Sequence, residues 1–174
     1  MSRVRNHLER LKAMKIVILS DIHDNIWKLE RLLAELPEAD VLLCCGDLCS
    51  PFTLKQIADG FEGEIHLVFG NNDGDKWLLT NVATQAGNVV LHDTFLMQDF
   101  GGRRVAMVHF PELGRALAGS GMYDVVFYGH DHKQSTERVG PALLVNPGEV
   151  MGRFGRSTYA VYDTESDKLQ VREV

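Results

Sequence analysis

Four short apolar runs each give way to residues that can bind metal. Lys15 to Leu19 runs into Ser20-Asp21-Ile22-His23, Val41 to Cys45 into Gly46-Asp47, Ile65 to Phe69 into Gly70-Asn71-Asn72-Asp73, and Arg103 to Val108 ends on His109 just before Pro111. A fifth run, Val125 to Tyr128, stops at Gly129 and is followed by His130 and His132. β-Branched and aromatic runs of this length, closed by a turn residue, read as buried strands. Residues two apart in extended chain share a face, so a His-x-His leaving a strand tip can point both imidazoles into one cleft. Alone, that pair is weak evidence of a metal site. Five strand tips carrying Asp, His, Asn and His-x-His are stronger, because sites in α/β folds form where loops converge at the carboxyl ends of strands. The pattern predicts one polynuclear site.

The elements that must position these residues are legible from periodicity. Ile26, Leu29, Leu32, Leu33 and Leu36 recur at helical spacing behind Asp24 or Asn25 as N-cap, until Pro37 stops the helix. Trp27 is expected to pack between this helix and a sheet. Pro51 opens a second helix that runs to Gly60, and a third covers Lys76 to Gln85. Past Gly87 the period becomes that of strands, at Val89 to Leu91, Thr94 to Asp99, Gln134 to Arg138, Ala142 to Val145, Thr158 to Tyr162 and Leu169 to Val171. Turns fall at Gly101-Gly102 and Ser166-Asp167, and only Glu112 to Ala118 reads as helix among these strands. A front half alternating strand and helix, then a back half of strands, predicts an α/β fold in which two mixed sheets pack face to face between helices: a four-layer α/β/β/α sandwich.

Composition bounds the rest. A chain of 174 residues, 45% hydrophobic and 24% charged, is sized for one domain with a sizeable core. A net charge of −6 and the lack of a basic, aromatic-rich groove argue against a nuclease-like partner of nucleic acid. The apolar stretches are strand-sized, so no membrane span is expected, and nothing resembles a signal peptide. Cys44, Cys45 and Cys49 lack the spacing or even number of a disulfide framework, which fits a cytoplasmic protein with reduced thiols. Cys49 lies close enough to Asp47 in the sequence to approach the site. His66 and His92 match no motif position and are read as structural. Residues 1–13 are polar and basic, with Arg3, Arg5, Arg10 and Lys12 and only Val4, Leu8 and Leu11 to pack, so they read as an N-terminal extension ahead of a domain covering residues 14–174.

Asp21-x-His23, Gly46-Asp47, Gly70-Asn71, His109 and Gly129-His130-x-His132, in this order, resemble the calcineurin-like metallophosphoesterase superfamily. The short length and the Asn146-Pro147-Gly148 turn before the last strands are similar to its small YfcE-type prokaryotic phosphodiesterases. The resemblance implies the same four-layer sandwich. It assigns one metal to Asp21, His23 and His132 and the other to Asn71, His109 and His130, with Asp47 bridging. Asp47, Asn71 and His109 are then catalytic as well as metal-binding. A carboxylate can span two cations with its two oxygens, while neutral imidazole and amide ligands limit the negative charge. Two divalent cations outweigh two carboxylates and a bridging hydroxide, so a phosphate is attracted to a site in an otherwise acidic protein.

The activity implied is metal-dependent hydrolysis of a small phosphate ester, a phosphodiester before a monoester, by in-line attack of a hydroxide held between metals about 3.5–4 Å apart. The family implies manganese most readily, and iron, nickel and zinc also suit nitrogen and oxygen ligands. Neither nucleic acid nor membrane is expected as a partner, and a homo-oligomer is compatible with all of this. Asp24 and Asp73 are candidates to orient metal-bound imidazoles, or are loop and cap carboxylates. Two positions depart from the family. Asn72 stands where relatives have a histidine or cysteine after Gly-Asn, and a carboxamide cannot be a general acid. Phe110 replaces a glycine after His109, in the substrate loop. The second reading, from another class, is an interaction scaffold like the retromer subunit that shares the fold; such scaffolds lose metal ligands, and all seven are present here.

No motif residue precedes Asp21, so deleting residues 1–13 is expected to leave turnover and the melting temperature nearly unchanged. Aggregation of the truncated protein, or a melt many degrees lower, contradicts the reading of this segment as an extension.

Overall fold

The computed structural model describes residues 12–174. The extension read at residues 1–13, apart from Lys12 and Ala13, lies outside the described residues. The first half alternates as the sequence predicts: β1 (Lys15–Leu19), α1 (Ile26–Glu35), β2 (Val41–Cys44), α2 (Pro51–Gly60), β3 (Glu64–Leu67), α3 (Lys76–Ala86) and β4 (Val89–Leu91). The second half is β5 (Phe95–Phe100), β6 (Arg103–Val108), α4 (Pro111–Gly119), β7 (Val125–Phe127), β8 (Ser135–Val139), β9 (Ala142–Asn146), β10 (Thr158–Asp163) and β11 (Lys168–Glu173). Asn25, not Asp24, caps α1 by accepting from the Lys28 backbone N–H at 3.2 Å.

Two sheets result, ordered β11-β10-β1-β2-β3-β4 and β5-β6-β7-β9-β8. In the first, β1 to β4 are parallel, and β10 closes antiparallel onto β1 with Val17 opposite Val161. The last hairpin of the chain therefore returns to the first sheet. In the second, β6, β7 and β9 are parallel and β5 and β8 flank them antiparallel.

The apolar runs in β1 and β2 lack polar alternation because both faces of the sheet are covered. Val17 and Leu19 face the layer formed by Leu29 and Leu32 of α1, Leu54 and Ile57 of α2, and Leu79 of α3. Ile16 and Ile18, one residue out of phase, face the second sheet through Phe100, Val105, Phe127 and Tyr162. Beyond that sheet, Val108, Val126 and Leu144 bury Ala118 of α4. Each fully buried leucine contributes roughly 1.5–3 kcal/mol. The four layers thus fix two sets of parallel strands whose carboxyl ends open on one edge. Among the described residues no helix is long and apolar enough to cross a membrane.

One expectation fails. Trp27 does not pack between helix and sheet: it is 71% exposed, because α1 turns its Leu29–Leu32 stripe inward and leaves its second position in solvent. Phe52 and Trp77, at the second positions of α2 and α3, are 77% and 75% exposed.

Candidate metal centre

The strand tips are brought together by tight backbone turns. Asp21, His23, Asp24, Asp47, His130 and His132 account for six of the ten described non-glycine residues with positive φ, between 45° and 76°. That region costs a non-glycine residue on the order of 1–3 kcal/mol and persists only where surrounding contacts enforce it. Here they do. The Asp47 carbonyl accepts from the backbone N–H groups of Ile22 and His23 at 2.9 and 3.0 Å, and the Asp21 carbonyl from Met151 at 3.0 Å. Two glycines allow the close approach, since a Cβ on Gly70 would collide with the Asp47 carboxylate and one on Gly129 with Ser20 and Asp21.

Two donor groups form at this edge, Asp21–His23–His132 and Asp47–His109–His130. Within the first, Asp21 Oδ1 lies 3.8 Å from His23 Nε2 and 3.5 Å from His132 Nε2. Asn71 belongs with the second: its Oδ1 is 3.1 Å from His109 Nε2 and 3.0 Å from His130 Nδ1. Asp47 Oδ2 lies between the groups, 3.5 Å from His23 Nε2 and 3.4 Å from His109 Nε2. All seven residues singled out as ligands therefore converge.

The two oxygens of Asp47 are placed differently. Its Oδ1 accepts the Asn72 backbone N–H at 2.8 Å, because the Gly70–Asn72 turn folds over it, so the single oxygen Oδ2 faces both groups.

The residues fit cations rather than one another. Among the described residues Asp21 Oδ1 and His23 Nε2 are buried without a hydrogen-bond partner, which is costly unless something else satisfies them. Donor separations of about 3–3.8 Å are those of atoms each about 2.0–2.2 Å from a shared divalent ion. The other Asp21 oxygen is already used, accepting from Ser20 Oγ at 2.6 Å and the His130 N–H at 3.0 Å.

Titration agrees. Burial opposes ionisation of Asp47, but hydrogen bonds from His109 and Asn72 outweigh it and hold the carboxyl well below the usual range. His23 is raised, chiefly by Asp21. His109 is also raised: burial lowers it, and hydrogen bonding to Asp47 overcomes that.

Three of the four imidazoles, those of His23, His109 and His132, have a partner behind the ring, though not the residues the sequence suggested. His109 Nδ1 bonds the Cys45 carbonyl at 2.8 Å and His132 Nδ1 bonds Glu149 Oε2 at 2.8 Å, so both turn Nε2 toward the site. His23 Nδ1 is 3.5 Å from Cys49 Sγ, so Cys49 does approach the centre; burial pushes its thiol up to about 12. Asp24 holds the entry to α2 instead, accepting from the Ser50 N–H and the Thr53 hydroxyl. Asp73 ties two tips together by accepting backbone N–H groups from Asp47, Cys49 and Gly70 at 2.7–2.9 Å. His66 and His92 hydrogen-bond each other at 2.8 Å.

Glu149 is the residue that sequence reasoning missed. It is fully buried, and its second oxygen accepts the N–H groups of Phe154 and Gly155 at 2.6 and 2.8 Å. Its one signal was an acidic side chain directly after Asn146-Pro147-Gly148 in an otherwise apolar stretch.

A two-sheet sandwich whose strand tips gather nitrogen and oxygen donors into two adjoining groups defines a candidate metal-dependent hydrolase. Residues 14–167 match the calcineurin-like phosphoesterase superfamily domain, and the chain belongs to that family. It is 31% identical over 166 residues to the phosphodiesterase MJ0936 of Methanocaldococcus jannaschii, covering 92% of this chain and 98% of that one. Among solved structures, an archaeal phosphodiesterase superposes with a TM-score of 0.83 at 29% identity, over 92% of this chain and all of the other. The phosphoesterase YfcE of E. coli gives 0.65 at 20% identity over 92% and 100%. Vps29 of Entamoeba histolytica complexed with zinc gives 0.63 at 18% identity over 92% and 98%. The last two establish shared fold alone.

Glu149→Gln keeps the shape of the side chain but halves its acceptors. Calorimetric titration with manganese is expected to show binding weakened about 10–100-fold at the donor group that contains His132 and not at the Asp47–His109–His130 group. Wild-type affinity at both sites contradicts the orienting role.

Proposed function

We propose that this protein is a phosphodiesterase that uses two divalent cations, manganese first and iron, nickel or zinc as alternatives. Asp21, His23 and His132 hold one, Asn71, His109 and His130 the other, and Asp47 serves both. The observation that carries this reading is Asp47 Oδ2, buried and within 3.5 Å of an imidazole nitrogen from each group. When bound, the cations supply an activated water and the Lewis acidity for its in-line attack on phosphorus. The chain's part is preorganisation: carbonyl and carboxylate partners behind His109 and His132 fix their tautomers, and αL turns fix the directions of Asp21 and Asp47. The curated relative named as a phosphodiesterase supports the choice of diester. Three free thiols support a reducing compartment such as the cytoplasm. The substrate is a small phosphate ester.

The second reading, a non-catalytic interaction scaffold, is favoured by the exposed Trp27, Phe52 and Trp77 on neighbouring helix starts. The complete donor set weighs against it. Metal-dependent hydrolysis of bis(p-nitrophenyl) phosphate by the purified protein distinguishes the two readings, and its absence with every one of the four metals sinks the first.

Asn72 shapes the rate. Its Nδ2 donates to Asp47 Oδ2 at 2.8 Å, so it offers no acid to the departing oxygen. The rate is therefore expected to fall steeply as leaving-group pKa rises, with nitrophenyl diesters cleaved well and alkyl diesters poorly. Asn72→His should flatten that dependence and help alkyl leaving groups most, by up to ~10²-fold. The measurement is log kcat/KM against leaving-group pKa for both proteins at matched metal content. A shallow wild-type slope means that another group supplies the proton.

A further inference from the structure

A cleft of about 430 Å³ adjoins the metal centre, with His132 as its shared wall and Lys133, Phe154, Arg156, Arg172 and Glu173 among its lining. A volume of this order suits a small organic ligand. Phe154 is 70% exposed, and its ring stands edge-on to His132 with centroids 5.2 Å apart. An aromatic left in water beside a candidate metal ligand is available for stacking. It is also held in register with that ligand, because Glu149 bonds His132 through one oxygen and the Phe154 backbone N–H through the other.

The charges of the cleft are one-sided. Glu173 is paired with Arg156 at 2.5 Å, which leaves Lys133 and Arg172 without an opposing carboxylate among the lining residues named. Arg153 adds a cation over the Phe154 ring at 5.3 Å. On the other flank the Phe110 ring lies 4.9 Å from the His130 ring.

We infer that this cleft is the subsite for the organic arm of the phosphate ester, and that it takes an arm that is planar and carries its own negative charge, as a nucleotide does. The inference rests on the phosphoesterase reading, with the phosphate at the two donor groups, the planar group against Phe154, and the extra anion toward Lys133 and Arg172.

Methylphosphonate, phenylphosphonate and 4-carboxyphenylphosphonate have no ester bond to cleave, so their binding to the manganese-loaded protein can be measured by calorimetry without turnover. Phenylphosphonate is expected to bind about 10-fold more tightly than methylphosphonate. The added carboxylate is expected to give about 2–5-fold more at low salt. Phe154→Ala should remove the aryl gain while keeping methylphosphonate binding, and the double variant Lys133→Ala with Arg172→Ala should remove only the gain from the carboxylate. Equal binding of the methyl and phenyl compounds, or an equal loss of all three in Phe154→Ala, overturns the subsite; an aryl gain with no gain from the carboxylate overturns its anionic half. Hydrolysis of bis(p-nitrophenyl) phosphate, run in parallel, separates the two ideas. Turnover without arm discrimination sinks the subsite alone, discrimination without turnover sinks the catalytic reading alone, and no phosphonate binding at all sinks both.

Discussion

The centre depends on one buried carboxylate. Asp47 is 1% exposed, sits at φ 56° and faces imidazoles of both donor groups with a single oxygen. An isolated carboxylate in such a place would cost several kcal/mol, and hydrogen bonds from His109 and Asn72 outweigh that cost. The surroundings therefore divide the task. The Asn72 backbone N–H takes one oxygen, the Asn72 side chain donates to the other, which also faces His23 and His109, and Asp73 receives the N–H of Asp47 itself. Beside it, Asp21 Oδ1 and His23 Nε2 are buried without a hydrogen-bond partner among the described residues.

The fold makes this arrangement affordable because it supplies two independent sets of strand tips. Asp21, Asp47 and Asn71 come from the first sheet, and His109, His130 and His132 from the second. Packing of Ile16, Ile18 and Leu43 against Val105, Phe127 and Val145 fixes the distance between the sheets, and so between the oxygen donors and most of the imidazoles. Dense packing of this kind resists small displacements, which suits ligands whose useful geometry is narrow. The return of β10 to pair with β1 adds a second tie, since the loop ahead of it carries Glu149 and Phe154 to the same edge.

What the sequence disclosed follows the range of the interactions. Strands, helices and all seven donors were legible because each rests on a local pattern: apolar runs closed by Gly46, Gly70 or Gly129, helical spacing from Ile26, a His-x-His at a strand end. The pairing of β10 with β1 was not, because a hairpin late in the chain reads the same whichever sheet receives it. Trp27 misled because an aromatic near an apolar stripe usually belongs to it, whereas here it falls at the helix's open end. The backing of His132 by Glu149 was hidden for a related reason. A carboxylate 17 residues away becomes its partner only through the turn that places it there, and Asp24 and Asp73, nearer in sequence to the motifs, bond backbone and hydroxyl groups instead.

The central claim is that Asp47 serves both cations, and it is tested most directly by metal content. Asp47→Asn keeps the volume and removes the charge. Elemental analysis and calorimetric titration of the variant should show binding weakened at both sites together, with turnover lost, because the same oxygen faces both. A variant that still holds two metals at wild-type affinity, or that loses one while the other is unaffected, contradicts a shared carboxylate.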